Sequence, residues 1–255
     1  MFKHQISSAI IIFILLITLF PQGESITEPS SQTWYVDSSN TSGPWDGTQN
    51  YPFSKIQTAI NTADSQDIIT VLSGLYKESI FIDKSLTLQS KNDHRPTIDG
   101  GYNQSIIHIV HPNVTVTGFI LRNSSGTPKS SGITCDANNI RIGNCQFYRT
   151  RSGITVNQKE DITISDCLFH TNGGGISLHK SNNIILEHND FLHNGIGINS
   201  ESSSQITIKD CYATINGIGF FFNNSRDSLI FESAVFNNND NQGGVFIDRC
   251  QNISI

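Results

Sequence analysis

Three residues at a common spacing are the first to suggest chemistry. Asp166, His188 and Asp210 stand 22 residues apart, so a fold that repeats every 22 residues brings them into one file. An imidazole between two carboxylates has its pKa raised, or holds a metal weakly. In a solvated turn the same charges merely offset one another, which is the commoner fate of such a file. Cys145, Cys167 and Cys211 share a second file, with Asn189 in the gap. Free cysteine packs as a small buried hydrophobe, so a ladder inside the core is expected. On adjacent strands Cys145 and Cys167 would lie about 4.8 Å apart, near enough for a disulfide if their Cβ bonds converge. His170 and His193 approach from different files and form no ligand pair. No Cys-x-x-Cys or His-x-x-x-His pair is present, so a zinc site is not indicated. The sequence calls for no cofactor and leaves calcium and copper open.

The files imply a repeat, and the repeat implies the fold. Copies begin at Asn139, Asp161, Asn183 and Gln205, 22 residues apart, and steps of 23 and 24 lead to Ser228 and Asn252. A less regular copy starts at Asn113. In each copy the second residue (Ile140, Ile162, Ile184, Ile206, Leu229) and the fourth (Ile142, Ile164, Leu186, Ile208, Phe231) are apolar around a polar one. That alternation makes a short strand with one buried face. Phe147, Phe169, Phe191, Ala213 and Phe236 form a further inward file, followed by Asn172, Asn194, Asn216 and Asn239, with Thr150 ahead of them. Gly153, Gly175, Gly197, Gly219 and Gly244 then mark a corner before another apolar file. Each copy thus holds three short strands and cannot bury its apolar face alone; stacked copies share one core. Stacked asparagines can bond to turn backbone and to the next rung's asparagine. The expected architecture is all-β, a right-handed parallel β-helix with three strands per rung.

Composition agrees. Of 255 residues 36% are hydrophobic and 15% charged, a mixture suited to short strands and turns rather than to a helical bundle. The net charge of −6, with no Lys/Arg cluster, argues against nucleic-acid binding. Residues 1–25 read as a signal peptide or an uncleaved anchor: Lys3 and His4 precede the apolar run from Ala9 to Phe20. A secreted or cell-surface location is expected, with membrane contact only through that segment if it is retained. Residues 26–33 read as a linker. Residues 34–111 hold a cap and irregular rungs, in which Ser54 would cap a helix burying Ile56, Ala59, Ile60 and Ala63. Residues 112–255 hold the regular rungs. The last of these begins at Asn252 and is left uncapped, so a partner or a missing segment is expected at that end.

The run Phe53–Ala63, with Asp67-Ile-Ile-Thr-Val71, Gly74-Leu-Tyr-Lys-Glu78 and Ile82-Asp-Lys-Ser-Leu-Thr-Leu88, resembles the N-terminal region of pectin-lyase-like β-helix proteins. The repeats resemble those of NosD-type periplasmic proteins and of the related carbohydrate-binding and sugar-hydrolase domain, frequent in archaeal surface proteins. The resemblance spans residues 34–255. It implies the fold, and leaves function to be tested residue by residue. Pectin methylesterases share Gly74-x-Tyr76-x-Glu78 but need two aspartates and a glutamine on central rungs. There this chain has Ser131-Gly-Ile-Thr-Cys135 and Tyr148-Arg-Thr-Arg151. The motif sets of polygalacturonases and alginate epimerases are absent, and the calcium-binding acidic residues that pectate lyases place with an arginine base have no matching group around Arg122, Arg149 or Arg151. The NosD association with copper delivery finds no Met/Cys/His cluster here.

Three functions are therefore weighed. The leading one is a non-catalytic surface or envelope module that binds polysaccharide or cell-surface glycans, or serves as a structural layer. The second is a polysaccharide lyase or hydrolase built around Asp166, His188 and Asp210. The third is an accessory factor in copper-enzyme maturation.

Overall fold

The computed structural model describes residues 30–91, 95–102, 104–124, 130–238 and 243–255. The expected signal or anchor segment lies outside the described residues. From Gln32 onward the chain forms one compact unit, a parallel β-helix of three sheets. Sheet A has ten strands, from Thr33–Val36 to Gln251–Ser254; sheets B and C have eight each, and successive rungs pair in parallel. Every full rung visits A, then B, then C. The rung centred on Asp161 does so with Glu160–Ser165, Leu168–His170 and Gly174–His179.

Inside, like stacks on like. Ile140, Ile162, Ile184 and Ile206 are all buried, as are Phe147, Phe169 and Phe191. The Phe147 and Phe169 rings lie 4.8 Å apart and 4° from parallel, and Phe169 to Phe191 repeats this at 4.9 Å and 7°. Ala213 then leaves room, which Phe220 of sheet C fills edge-on to Phe191 at 6.2 Å. The volume lost in one file is regained from another, as a close-packed core requires. Glycine follows the asparagine corner because of this stack: a Cβ on Gly175 would lie 2.5 Å from the Phe191 ring and 2.4 Å from the Gly197 carbonyl oxygen.

The last regular rung corrects the reading by hydrophobicity. Thr207 pairs with Leu229, Ile208 with Ile230 and Ala213 with Val235, so the 22-residue step holds for one rung more. Ser228 and Ile230 point inward at 3% exposure, whereas Leu229 and Phe236 are 42% and 50% exposed. A one-residue slip exchanges the two faces of a strand, and here the outward positions happen to be apolar. The extra residues enter after Asn238, since Phe220 pairs with Val245.

The N-terminal cap also differs in detail. The helix is Ile56–Thr62, capped at Lys55 without a side-chain bond. Ser54 does not cap it. Instead the Glu78 carboxylate accepts from Ile56 N and Gln57 N at 3.0 and 3.1 Å, placing negative charge on the free amides of the first turn. Tyr76 of the same motif is buried, and its hydroxyl donates to Leu72 O at 2.9 Å and accepts from Ser38 N at 3.2 Å. Burial pushes the Tyr76 phenol up to about 12. Gly74 faces Ser38 Oγ, which a Cβ would meet at 2.3 Å. In this chain the Gly-x-Tyr-x-Glu motif therefore fastens the cap to the coil.

Candidate functional site

Each rung turns its corners through residues in left-handed backbone, and these decide which polar files face water. Asn144, Asp166, His188, Asp210 and Glu232 occupy the corner between sheets A and B with φ between 49° and 55°. Such residues project outward, and Asp, Asn and His tolerate this geometry better than most. His188 Nδ1 lies 3.9 Å from Asp166 Oδ1 and its Nε2 3.5 Å from Asp210 Oδ2. The structure thus brings the three together at ion-pair range. The His188 and Asp166 side chains are 55% and 63% exposed, with no wall around them. Glu232, rather than Ser233, continues the file, and Lys209 lies 3.9 and 4.0 Å from Asp210 and Glu232. Contacts of this kind between exposed charges contribute little.

The inward corner residues are organised differently. Asn172 Oδ1 accepts from Thr150 N and Oγ1 at 2.9 and 2.8 Å, and its amide donates to Phe147 O and Asn194 Oδ1, both at 3.0 Å. Asn194 and Asn216 repeat the pattern one rung on. The next member is Asn238, whose Oδ1 accepts from Asn216 N at 2.8 Å; Asn239 lies outside the described residues. These asparagines do not supply the left-handed residue. Thr171, His193 and Ile215, just before them, do.

Cys145, Cys167 and Cys211 are buried free thiols. Burial pushes Cys167 well up and Cys211 to about 11, which keeps them protonated and unreactive. Asn189 bridges the file by accepting from Cys167 N at 3.0 Å and donating to Ile164 O at 2.8 Å. The file ends on Ser233, whose Oγ accepts from Cys211 N at 3.1 Å, and not on Ala234. A third inward file was not recognised in the sequence: Ser181 N donates to Ser203 Oγ, Ser203 N to Ser225 Oγ, and Ser225 N to Cys250 Sγ at 3.3 Å. Serines at 181, 203 and 225, again 22 apart, were its signal, and Cys250 is its last member.

The outer face of sheet B offers what the charged file lacks, a concave surface with an aromatic floor. Thr97, Ile120, Arg122, Gln146, Tyr148 and His170 line a groove of about 320 Å³ across successive rungs. Tyr148 and His170 stack at 5.7 Å and 25°, and the Arg149 guanidinium sits 4.9 Å from the Tyr148 centroid. Arg122 Nε donates to Asp99 Oδ2 at 2.9 Å. Burial pushes the Asp99 carboxyl up, but bonds from Asn123, Gly101 N and Arg122 outweigh it and hold the pKa low. Further along the same face stand Tyr212 and Phe236, each about half exposed. His193 meets His170 edge-on at 5.5 Å. Tyr148, His170, Leu192, Thr214 and Phe236 share one outward file at the 22-residue period, but its residue types vary from rung to rung, so the repeat gives no sign of it. By contrast, the outward positions of sheet A carry Arg141, Thr163, Ile185 and Thr207, with no carboxylate pair. Among the described residues no three His, Cys, Asp or Glu side chains are placed to hold a metal ion, and no helix is long and apolar enough to cross a membrane.

No curated protein sequence matches the chain. Solved structures similar to it include a rhamnogalacturonan lyase, at 12% identity and a TM-score of 0.56 over 81% of this chain and 75% of that one. XylC in complex with xylose is similar at 10% identity and a TM-score of 0.61 over 87% and 69%. A lacto-N-biosidase from Eubacterium ramulus is similar at 11% and 0.59 over 88% and 55%. At such identities the likeness is one of fold, the pectin-lyase-like parallel β-helix. Residues 84–255 match the model of the periplasmic copper-binding protein family NosD, and the chain belongs to that family.

Proposed function

We propose that this protein is an extracytoplasmic, non-catalytic β-helix that binds polysaccharide along the outer face of sheet B. The observation that carries the reading is the Tyr148–His170 stack set in a groove with Gln146 and Arg122 beside it. Aromatic faces flanked by hydrogen-bonding groups suit the mixed apolar and hydroxylated surface of sugars. Parallel rungs about 4.8 Å apart present an extended chain with a regular series of contacts. The similar solved structures are named for carbohydrate-acting or carbohydrate-bound proteins, which supports glycan contact in general.

A catalytic reading has less support. Glycoside hydrolysis generally needs two carboxyl groups flanking one bond. None of the described residues lining the groove is an Asp or Glu. Asp99 beside it is engaged by Arg122 and Asn123, and Asp190, opposite Leu168 on the next rung, is a single carboxyl whose pKa burial pushes up. Copper, which the family description names, does not fit the described residues either. Cys167 and Cys211 of the core file are held protonated by burial, which disfavours them as thiolate ligands, and among the described residues no third donor joins the His170–His193 pair.

The test is an array of plant and microbial polysaccharides probed with the protein and with Tyr148→Ala. At least one polymer should bind, and the variant should lose about tenfold or more in affinity, since stacking on an aromatic is worth roughly 1–2 kcal/mol. Equal binding by the variant, or no binding to any polymer, removes the proposal.

A further inference from the structure

A second cleft lies on a different face and has a different character. The outward file of sheet C runs Phe81, His108, Thr134, Thr155, Ser177 and Asn199. Small polar residues are what a solvated strand face normally carries. The file departs from this at its two ends: Phe221 and Phe246 stack on each other at one, and Phe81, 45% exposed, stands at the other, where the file opens into a cleft of about 310 Å³. Its position is fixed from behind: Phe81 N donates to Gln57 Oε1 at 2.8 Å, and Phe81 O accepts from Gln57 Nε2 at 3.2 Å. One side chain of the capping helix thereby clamps the peptide that carries the ring.

Opposite the ring, His108 stands edge-on to Phe81 at 5.6 Å and 75°. Its Nε2 lies 2.6 Å from Asp136 Oδ2. An ionised carboxylate only accepts, so Nε2 is the donor, and in the neutral ring Nδ1 is left as an acceptor. Asp136 keeps a second oxygen for another donor. Ser105 Oγ and Thr134 Oγ1, bonded at 2.7 Å, form a hydroxyl pair on the same wall, and Gln104 completes it. Among the described residues no Lys or Arg lines the cleft.

These features specify a ligand. A clamped phenyl ring suits an apolar ring face, and fixed acceptors with adjacent hydroxyls suit neighbouring hydroxyl groups. A carboxylate with no cation in the described walls disfavours an anion. A volume of about 310 Å³ is enough for one sugar ring. We propose that this cleft is a separate site for a single neutral sugar unit, seated on Phe81 and oriented by the Asp136–His108 pair. It is independent of the groove on sheet B, since no residue is common to the two.

Saturation-transfer NMR on the full chain tests it, with xylose, glucose, N-acetylglucosamine and galacturonate as probes at pH 7. At least one neutral sugar should receive saturation, galacturonate should receive none, and Phe81→Ala should abolish the signal while Tyr148→Ala preserves it. Asp136→Asn, which keeps the shape of the site, should weaken affinity about tenfold through loss of a charge-assisted bond. That variant decides the matter if Phe81→Ala fails to fold. Silence from every neutral sugar, a signal from galacturonate of equal strength, or neutral-sugar binding indifferent to both Phe81 and Asp136 would overturn the proposal. Loss of polymer binding in Tyr148→Ala alone leaves this site standing.

Discussion

Two polar files share the regular rungs of the same coil at the same 22-residue period, and they have opposite fates. Asn172, Asn194 and Asn216 point inward at 6%, 3% and 1% exposure, and their amides bond to the rungs before and after. Asp166, His188 and Asp210 point outward, and their contacts stop at 3.5 and 3.9 Å. Periodicity alone therefore does not make a polar residue a site. What matters is whether the corner turns it toward the core, where an unmade bond is costly, or toward water, where it costs almost nothing.

The comparison is sharpest at Asn194. Replacing it by alanine leaves Asn172 N without its acceptor and Phe169 O without its donor. Because each buried group left unpaired costs about 1–3 kcal/mol, Asn194→Ala should lose about 3 kcal/mol or more by urea denaturation. In a solenoid the loss should appear first as local opening, so amide exchange should accelerate in the rungs around residue 194. A variant as stable as the parent would dissolve the distinction between the two files.

Asp67 extends the comparison to an ionised group facing inward. Burial pushes its carboxyl up, but donors from Gln32 N, Trp34 Nε1 and Asp64 N at 2.8, 2.8 and 2.9 Å, with Lys84 nearby, outweigh it and hold the pKa low. A carboxyl whose folded pKa lies below its unfolded value stabilises the fold above that unfolded value, about 4, and the contribution fades as pH falls through the folded pKa. Stability should therefore decline in acid with Trp34 fluorescence changing early. Asp67→Asn should cost about 2 kcal/mol at pH 7 and flatten the acid limb of the curve.

Ile215 precedes Asn216 in left-handed backbone at φ 55° with its side chain 46% exposed. A β-branched residue there is strained by about 1–2 kcal/mol. Ile215→Asn should raise stability by about 1 kcal/mol, readable as a higher urea midpoint at unchanged slope. The smallest effect belongs to the outer file: His188→Asn, which keeps a residue tolerant of the corner, should change stability by less than about 0.5 kcal/mol.

Much of this was legible beforehand. The strand files, the asparagine file and the buried cysteines follow from a 22-residue period and a two-residue alternation, both of which survive in a bare sequence. Three things were not. The register of the rung at Ser228 was hidden because Leu229 and Phe236 are apolar on the outside, so hydrophobicity pointed one residue too far. The helix cap was hidden because Glu78 is a long-range partner and Ser54 a local one. Both clefts were hidden because Tyr148, Phe81 and His108 break their files rather than repeat within them. Periodicity reveals what holds the coil together, and departures from it reveal what the coil presents.

The most direct test of the account incubates the polysaccharide that binds best with the protein, and follows retention of the polymer and release of new chain ends in one sample. Bound polymer of unchanged length, with no new reducing or unsaturated ends after prolonged incubation, is the predicted result. Shortened chains accumulating with time would contradict it and make the groove on sheet B an active site.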